Sequence, residues 1–214
     1  MKKMNRMGFS DGLLLYGILG REQALSNEEL VSKVKSALAG GCDIVQLREK
    51  NIDSATYYHR ALLLREVTRE AGKKLFINDR LDIAMAVEAD GVHLGQEDLP
   101  LSQARKLWPK GLIGITVRDA TMARKAELAG ADYVGAGPVF APFSKQLADK
   151  PMGYEGLQEI RNHVRIPVFA IGGFDATNIE GLKTTGIQGV ATIAALFAQD
   201  DPQKNAVELK KLLS

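Results

Sequence analysis

The stretch Ile44–Asn51, IVQLREKN, follows a glycine pair, Gly40 and Gly41, and can be assigned in two ways. Ile44, Val45 and Leu47 open it like a buried strand, while Gln46, Arg48 and Lys50 fall at every second position. In a strand, alternate side chains point to the same face. Three long polar groups, two of them cationic, would then share one side. Taken alone, QLREKN is better assigned as an exposed helix start, because its residues all tolerate helix or cap positions. The preceding GGCDIV and the later INDR and GQED tip the assignment to a strand that ends in a polar cluster.

Seven further apolar runs surround this second one, DIVQL (43–47): LLLYGIL (13–19), KLFIN (74–78), DGVHL (90–94), LIGIT (112–116), DYVGAG (132–137), PVFAIGG (167–173) and GVATIA (189–194). Between them, segments such as NEELVSKVKSALAGG and SATYYHRALLLREVTREAG carry apolar residues at three and four spacing, the helical period. Gly40, Gly72, Gly130 and Gly186 stand where helix C-termini prefer glycine. Such alternation, with continuous apolar strands, implies parallel strands covered by helices. Eight repeats in 214 residues is the arithmetic of a barrel. A doubly wound open sheet is the runner-up, but YGILGREQ after the first run lacks the dinucleotide-binding glycine fingerprint. The expectation is an α/β fold, a single (β/α)8 TIM barrel over residues 13–214, preceded by a loose segment over 1–12. In it Val45 and Leu47 face the outer helices, Gln46 and Arg48 face the axis, and Lys50 lies just past the strand end. Polar groups at the C-terminal ends of strands are where such barrels keep their active sites.

The bulk composition is that of a soluble globular domain, with 45% hydrophobic and 25% charged residues. A net charge of +2 gives no support to a nucleic-acid or anionic-membrane partner, so any anion site must be local. Cys42 is the single cysteine, and the chain can form no internal disulfide, which fits a reducing compartment. The basic start MKKMNRMGFSDG is followed by an apolar run too short to span a membrane. The expected location is the cytoplasm. The oligomeric state is left open, a homo-oligomer included.

Two more strand ends carry carboxylates. FINDR ends the third run with Asn78, Asp79 and Arg80, and HLGQED ends the fourth with Glu97 and Asp98. On adjacent barrel strands these are neighbours. Each Asp alone is better taken as a helix N-cap. Their coincidence beside two cations favours Mg²⁺ with a phosphorylated substrate, since magnesium takes one or two carboxylates and completes its shell from phosphate and water. After the sixth run comes a long connection, GAGPVFAPFSKQLADKPMGYEGL (135–157), in which Ser144 and Lys145 are set as a lid over an anion. Gly172 and Gly173 after the seventh run are candidates for the phosphate site that these barrels build after strands seven and eight. Two anion sites, one metal-linked and one metal-free, point to two phosphorylated substrates, one of them a diphosphate.

Together QLREK, NDR, GVHLGQED, the GPVF…SK loop and AIGG resemble the thiamine-phosphate synthase family over nearly the whole chain. AIGG alone is common to many phosphate-binding barrels, whereas QLREK with GQED at this separation is specific. The resemblance implies a transferase that joins 4-amino-2-methyl-5-(diphosphooxymethyl)pyrimidine to 4-methyl-5-(2-phosphooxyethyl)thiazole, releasing diphosphate by a dissociative path. It implies that Gln46 holds the aminopyrimidine, that Arg48, Lys50 and Asn78 hold its diphosphate, and that Leu47 and Glu49 belong to the same binding run. It implies Asp79 and Asp98 as Mg²⁺ ligands, Thr116 at a pyrimidine-contacting serine position, Lys145 over the diphosphate, and Gly173 on the thiazole phosphate. Arg48, Lys50 and Lys145 are the implied catalytic cations.

Three positions depart from the family pattern. Pro142 replaces the first threonine of the Thr-x-Thr-Lys lid, Ala194 replaces a serine near strand eight, and strand one ends YGILGRE rather than Thr-Asp. Ser144 keeps the second hydroxyl, and the backbone N–H groups of Phe143, Ile193 and Ala194 remain available. His93 reads as packed within strand four, His59 and His163 as surface residues, Cys42 as a small buried hydrophobe and Trp108 as packed. Tyr16 divides equally between core and pyrimidine stacking. The competing functions are a thiazole tautomerase, a non-catalytic binder of thiamine-type phosphates, and an unrelated sugar-phosphate barrel, which would leave Gln46 and Arg48 unexplained.

Overall fold

A computed structural model describes residues 12–141, 151–198 and 201–214. The expected loose segment, Gly12 apart, therefore lies outside the described residues, as do Pro142, Phe143, Ser144 and Lys145. Eight strands and their helices follow in strict alternation: β1 (Leu14–Leu19), α1 (Asn27–Ala39), β2 (Ile44–Leu47), α2 (Ser54–Glu70), β3 (Lys74–Asn78), α3 (Leu81–Ala86), β4 (Gly91–Leu94) and α4 (Leu101–Leu107). They continue as β5 (Leu112–Val117), α5 (Ala120–Leu128), β6 (Tyr133–Ala136), α6 (Gly153–His163), β7 (Val168–Ile171), a 3₁₀ turn (Ile179–Thr184), β8 (Gly189–Thr192), α7 (Ala194–Phe197) and α8 (Pro202–Leu213). Each strand pairs in parallel with the next, and β8 closes on β1 through Leu14–Gly189 and Tyr16–Ala191. Closure rules out the open sheet.

Strand alternation divides the apolar residues into two layers. Val45, Leu47, Leu75, Ile77, Val92, Leu94, Val134 and Val190 face outward and pack under the helices. Tyr16, Ile44, Phe76, Tyr133 and Phe169 face inward. Branched aliphatics usually fill such interiors; here aromatic rings do, with centroids 5.4–6.4 Å apart and mostly edge to face. Glycine makes that exchange of volume work. A Cβ on Gly114 would sit 2.0 Å from Tyr133 Cζ, and one on Gly91 would sit 2.3 Å from Phe76 Cε1. After α1 the left-handed turn falls to Gly41 (φ +104°) rather than to Gly40, which stays right-handed.

The end of the barrel opposite the polar cluster is tied by a recurring device. Asp43, Asp90 and Asp132 each stand one residue before an even-numbered strand. Each accepts a backbone N–H from the preceding strand: Leu15 at 3.0 Å, Leu75 at 2.9 Å and Ile113 at 2.8 Å. Each also meets a cation, Asp43 with Lys73 and Lys210, Asp90 with Arg65, and Asp132 with Arg105. Asp132→Ala leaves the Ile113 N–H and the half-buried Arg105 without this partner, and is expected to cost about 2 kcal/mol. Thermal unfolding should fall by roughly 4–8 °C, while turnover of the folded protein at 25 °C stays as in the wild type.

Candidate active site

All eight strands contribute to a pocket at their C-terminal ends, lined by Tyr16, Ile18, Gln46, Arg48, Asn78, His93, Thr116, Tyr133, Gly135, Phe169, Ile171, Ala191 and Ile193. Of the residues expected at the site, Gln46, Arg48, Asn78, Thr116 and Ile193 therefore line it. Ala194 lies exposed at the first turn of α7, beside Ile193. Leu47 and Glu49 do not line the pocket. The same alternation that turns Gln46 and Arg48 inward sends Leu47 into the outer core, and the Glu49 side chain is buried against Arg60 of α2.

A continuous hydrogen-bond chain crosses the pocket from β2 to β5. Gln46 Nε2 donates to Tyr16 OH at 2.8 Å, and the Tyr16 and Tyr133 hydroxyls lie 3.1 Å apart. Tyr133 OH is 2.9 Å from His93 Nδ1, and His93 Nε2 is 2.9 Å from Thr116 Oγ1. The Gln46 amide anchors one end of the chain and the Thr116 hydroxyl the other, and each group between them has a hydrogen-bond neighbour on either side.

Burial depresses His93 to a pKa of about 4, with Asp79 pulling weakly the other way, so the ring is neutral at physiological pH. A folded value below the unfolded one means that stability is complete above the ordinary histidine pKa and declines as pH falls towards the folded pKa. With an unfolded value near 6.5, the loss between pH 7 and pH 5 is about 2 kcal/mol. Thermal melts across that range should show it, and His93→Gln, which cannot titrate, should flatten the corresponding part of the profile. His93, read as packed, and Tyr133 are the polar pocket residues that the sequence did not assign to the site. The signal was available as parity, since Val92 and Leu94 face outward and His93 must face in.

At the rim, β3 and β4 bring the carboxylates together. Asp98 accepts the Gly95 N–H at 2.6 Å, and Lys50 Nζ is paired with Asp79 Oδ2. Burial pushes the Asp98 carboxyl above the usual range; a hydrogen bond and charge repulsion from Asp79 add to this, and Lys50 opposes it. Neither residue caps a helix: α3 starts from Arg80 and α4 from Pro100, both without a side-chain cap. Asp79 holds a left-handed backbone (φ +63°), uncommon for a residue with a Cβ, and this conformation goes with its place beside Asp98. Across the pocket, Gly173 has φ +69°, and a Cβ there would lie 2.7 Å from the Ala141 carbonyl oxygen. β7 pairs with β8 at Ile171–Ala191, so Gly173 and Ile193 continue two neighbouring strands.

A closed (β/α)8 barrel whose pocket holds Gln46, Arg48, Asn78 and Thr116 and opens beside Lys50, Asp79 and Asp98 at the C-terminal rim is built as a barrel enzyme with its active site at that end. Comparison with known proteins narrows this. The family model described as thiamine monophosphate synthase matches residues 15–196. Curated thiamine-phosphate synthases are similar over most of their length: that of Fusobacterium nucleatum is 45% identical over 188 residues, covering 87% of this chain and 90% of the relative. That of Pyrococcus horikoshii is 40% identical over 207 residues, covering 97% and 98%. The solved thiamine phosphate pyrophosphorylase of Pyrococcus furiosus superposes with a TM-score of 0.86 at 38% identity, covering 98% of this chain and 96% of that one. The chain belongs to the thiamine-phosphate synthase family, and its activity is that of a transferase forming thiamine phosphate.

Proposed function

We propose that the pocket binds the pyrimidine diphosphate with its ring between Gln46 and Thr116 and its diphosphate against Arg48, Lys50 and the Asp79–Asp98 rim, while the thiazole phosphate is held near Gly173, Ile193 and Ala194. The convergence of Gln46, Arg48, Asn78 and Thr116 in one pocket, beside Lys50 and the carboxylate rim, carries this reading. An aminopyrimidine has an amino donor next to ring-nitrogen acceptors, and the pocket offers the Gln46 amide on one side and the Thr116 hydroxyl on the other. A neutral His93, bonded to Tyr133 and Thr116, holds that hydroxyl in place.

Mg²⁺ fits the rim. Two carboxylates are drawn together there, against their mutual repulsion, without serving as helix caps. Magnesium takes one or two carboxylates and completes its shell from phosphate and water. Bound by Asp79 and Asp98, it would add positive charge beside the leaving diphosphate.

The C–O bond of the pyrimidine methylene breaks first, and its electron pair leaves with the diphosphate. The electron-rich aminopyrimidine carries the developing positive charge, and the thiazole nitrogen lone pair then forms the C–N bond. No proton is lost from the attacking nitrogen, so no strong general base is needed. The chain's task is to hold fixed positive charge against the leaving oxygens, which is the work of Arg48 and Lys50. Lys145, outside the described residues, is proposed as a third cation. No helix among the described residues is long and apolar enough to cross a membrane. The single cysteine, Cys42, is buried and unpaired, in keeping with a cytoplasmic setting.

The test is to mix purified protein with both substrates, with and without Mg²⁺, and follow diphosphate and thiamine phosphate by phosphorus NMR. Formation of both, dependent on Mg²⁺, is expected. Tight binding of the pyrimidine diphosphate with no thiamine phosphate would overturn the reading in favour of a non-catalytic binder.

A further inference from the structure

We propose that Glu49 and Arg60 form a positioning strut, which holds the turn bearing Arg48 and Lys50 against the end of β1 so that both cations face the diphosphate; this rests on the function proposed above. Glu49 sits between the two cations and turns the opposite way, so fixing the middle residue fixes both neighbours. It is 5% exposed and Arg60 is 3% exposed. Glu49 Oε1 accepts Arg60 Nε at 2.6 Å, and Oε2 accepts the Arg21 N–H at 3.0 Å. Arg60 also donates to the Ala24 carbonyl at 2.9 Å and to Asn27 Oδ1 at 3.3 Å. The Arg48 N–H completes the lacing by donating to the Leu19 carbonyl at 2.8 Å.

The segment after β1, Gly20–Ala24, thereby gains a task. It overlaps YGILGRE (16–22), the strand-one ending that departs from the pattern of the family this chain resembles. A Cβ on Gly20 would lie 1.9 Å from the Arg48 carbonyl oxygen, so the two turns meet backbone to backbone. From the same face of α2, one turn earlier, Tyr57 OH lies 2.9 Å from the carbonyls of both Leu47 and Asn78 and braces the ends of β2 and β3. Stability alone is a poor reason for a buried ion pair here. Apolar residues of similar volume often serve as well, whereas removing one partner is costly. What the pair supplies is direction: two fixed oxygens and a planar fork set one turn relative to the other.

Three variants of the full-length chain test this: Glu49→Gln, which takes away the charge; Arg60→Lys, which keeps it but loses the fork; and Gly20→Ala, which moves the Arg48 backbone and leaves every charge in place. The readouts are the Kd of inorganic diphosphate in Mg²⁺ by calorimetry, KM for each substrate, kcat and thermal unfolding. A shift of the cations by about 1 Å is expected to weaken diphosphate binding and raise KM for the pyrimidine diphosphate on the order of 10- to 10²-fold. KM for the thiazole phosphate should stay unchanged, and Arg60→Lys should lie between the wild type and Glu49→Gln. Folded variants that bind diphosphate like the wild type would overturn the proposal. So would equal losses for both substrates that track the fall in unfolding temperature, or failure of all three variants to fold, since the pair would then serve the fold alone. Wild-type protein that binds diphosphate but makes no thiamine phosphate would count against the proposed function, not against the strut.

Discussion

Replacing Asp98 by asparagine is expected to lower the rate of diphosphate release by about 10³-fold and to abolish its response to Mg²⁺, while leaving the fold as stable as before or more so. The two effects have opposite sign for one reason. Asp98 is held next to Asp79, and burial together with that neighbour raises its pKa. A carboxyl whose folded value exceeds its unfolded value contributes stability below the unfolded pKa and loses it as pH rises through the folded pKa. At pH 7 the charged Asp98 is therefore a liability to the empty protein. Asparagine removes the repulsion and keeps an oxygen to accept the Gly95 N–H, now at 2.6 Å. Catalysis loses much more, because fixed charge opposite a leaving diphosphate is worth 10² to 10³ per group, and here a metal ligand goes with it. Diphosphate release with and without chelator, and metal-free thermal unfolding at pH 7, read the two halves separately. Unchanged activity with a lowered unfolding temperature would show that Asp98 supports its loop and holds no metal.

Much of this site was legible because period and chemistry coincided. In IVQLREKN the alternation placed Gln46 and Arg48 inside the barrel, and the paired ends INDR and GQED placed two carboxylates at one rim. Parity also held the information about His93 and Tyr133, yet His93 within GVHLGQED reads as packing and Tyr133 stands in no motif. A histidine flanked by Val92 and Leu94 looks like packing until the strand is known to face a pocket. The aromatic interior was hidden for another reason. It depends on Gly91 and Gly114 lying opposite Phe76 and Tyr133 on neighbouring strands, a pairing set by barrel register and absent from any local window. Glu49 shows the limit of motif transfer. It belongs to the binding run by sequence, but its side chain points away from the pocket, and its partners Arg21 and Arg60 lie on other elements. The resemblance named the run, and only the fold separated the residues that face substrate from the one that holds them.

Lys50→Met is expected to act on the two ligands in opposite directions, which no uniform weakening of the site would do. Lys50 is half-exposed and paired with Asp79. In the unliganded protein it neutralises part of the rim, and so it competes with any divalent cation for the same carboxylate. Removing it leaves the two carboxylates with more net negative charge. Near a protein surface one such charge is worth about 1 kcal/mol at contact distance, so Mg²⁺ should bind the free protein roughly fivefold more tightly. The gain should fade with added salt, because the group is exposed. Turnover moves the other way. The diphosphate needs the lysine more than the metal suffers from it, and loss of one fixed cation from the leaving group should lower kcat on the order of 10²- to 10³-fold. Methionine keeps the length and apolar stem of the side chain, which separates charge from packing. Calorimetric titration of Mg²⁺ into both proteins at low and high salt, beside kcat with saturating substrates, decides the matter. Weaker Mg²⁺ binding in Lys50→Met would mean that the lysine organises Asp79 for the metal, and the competition argued here would be wrong. Tighter Mg²⁺ binding with a large loss of kcat would make Lys50 a cation that occupies the metal's place until the diphosphate arrives and draws it away.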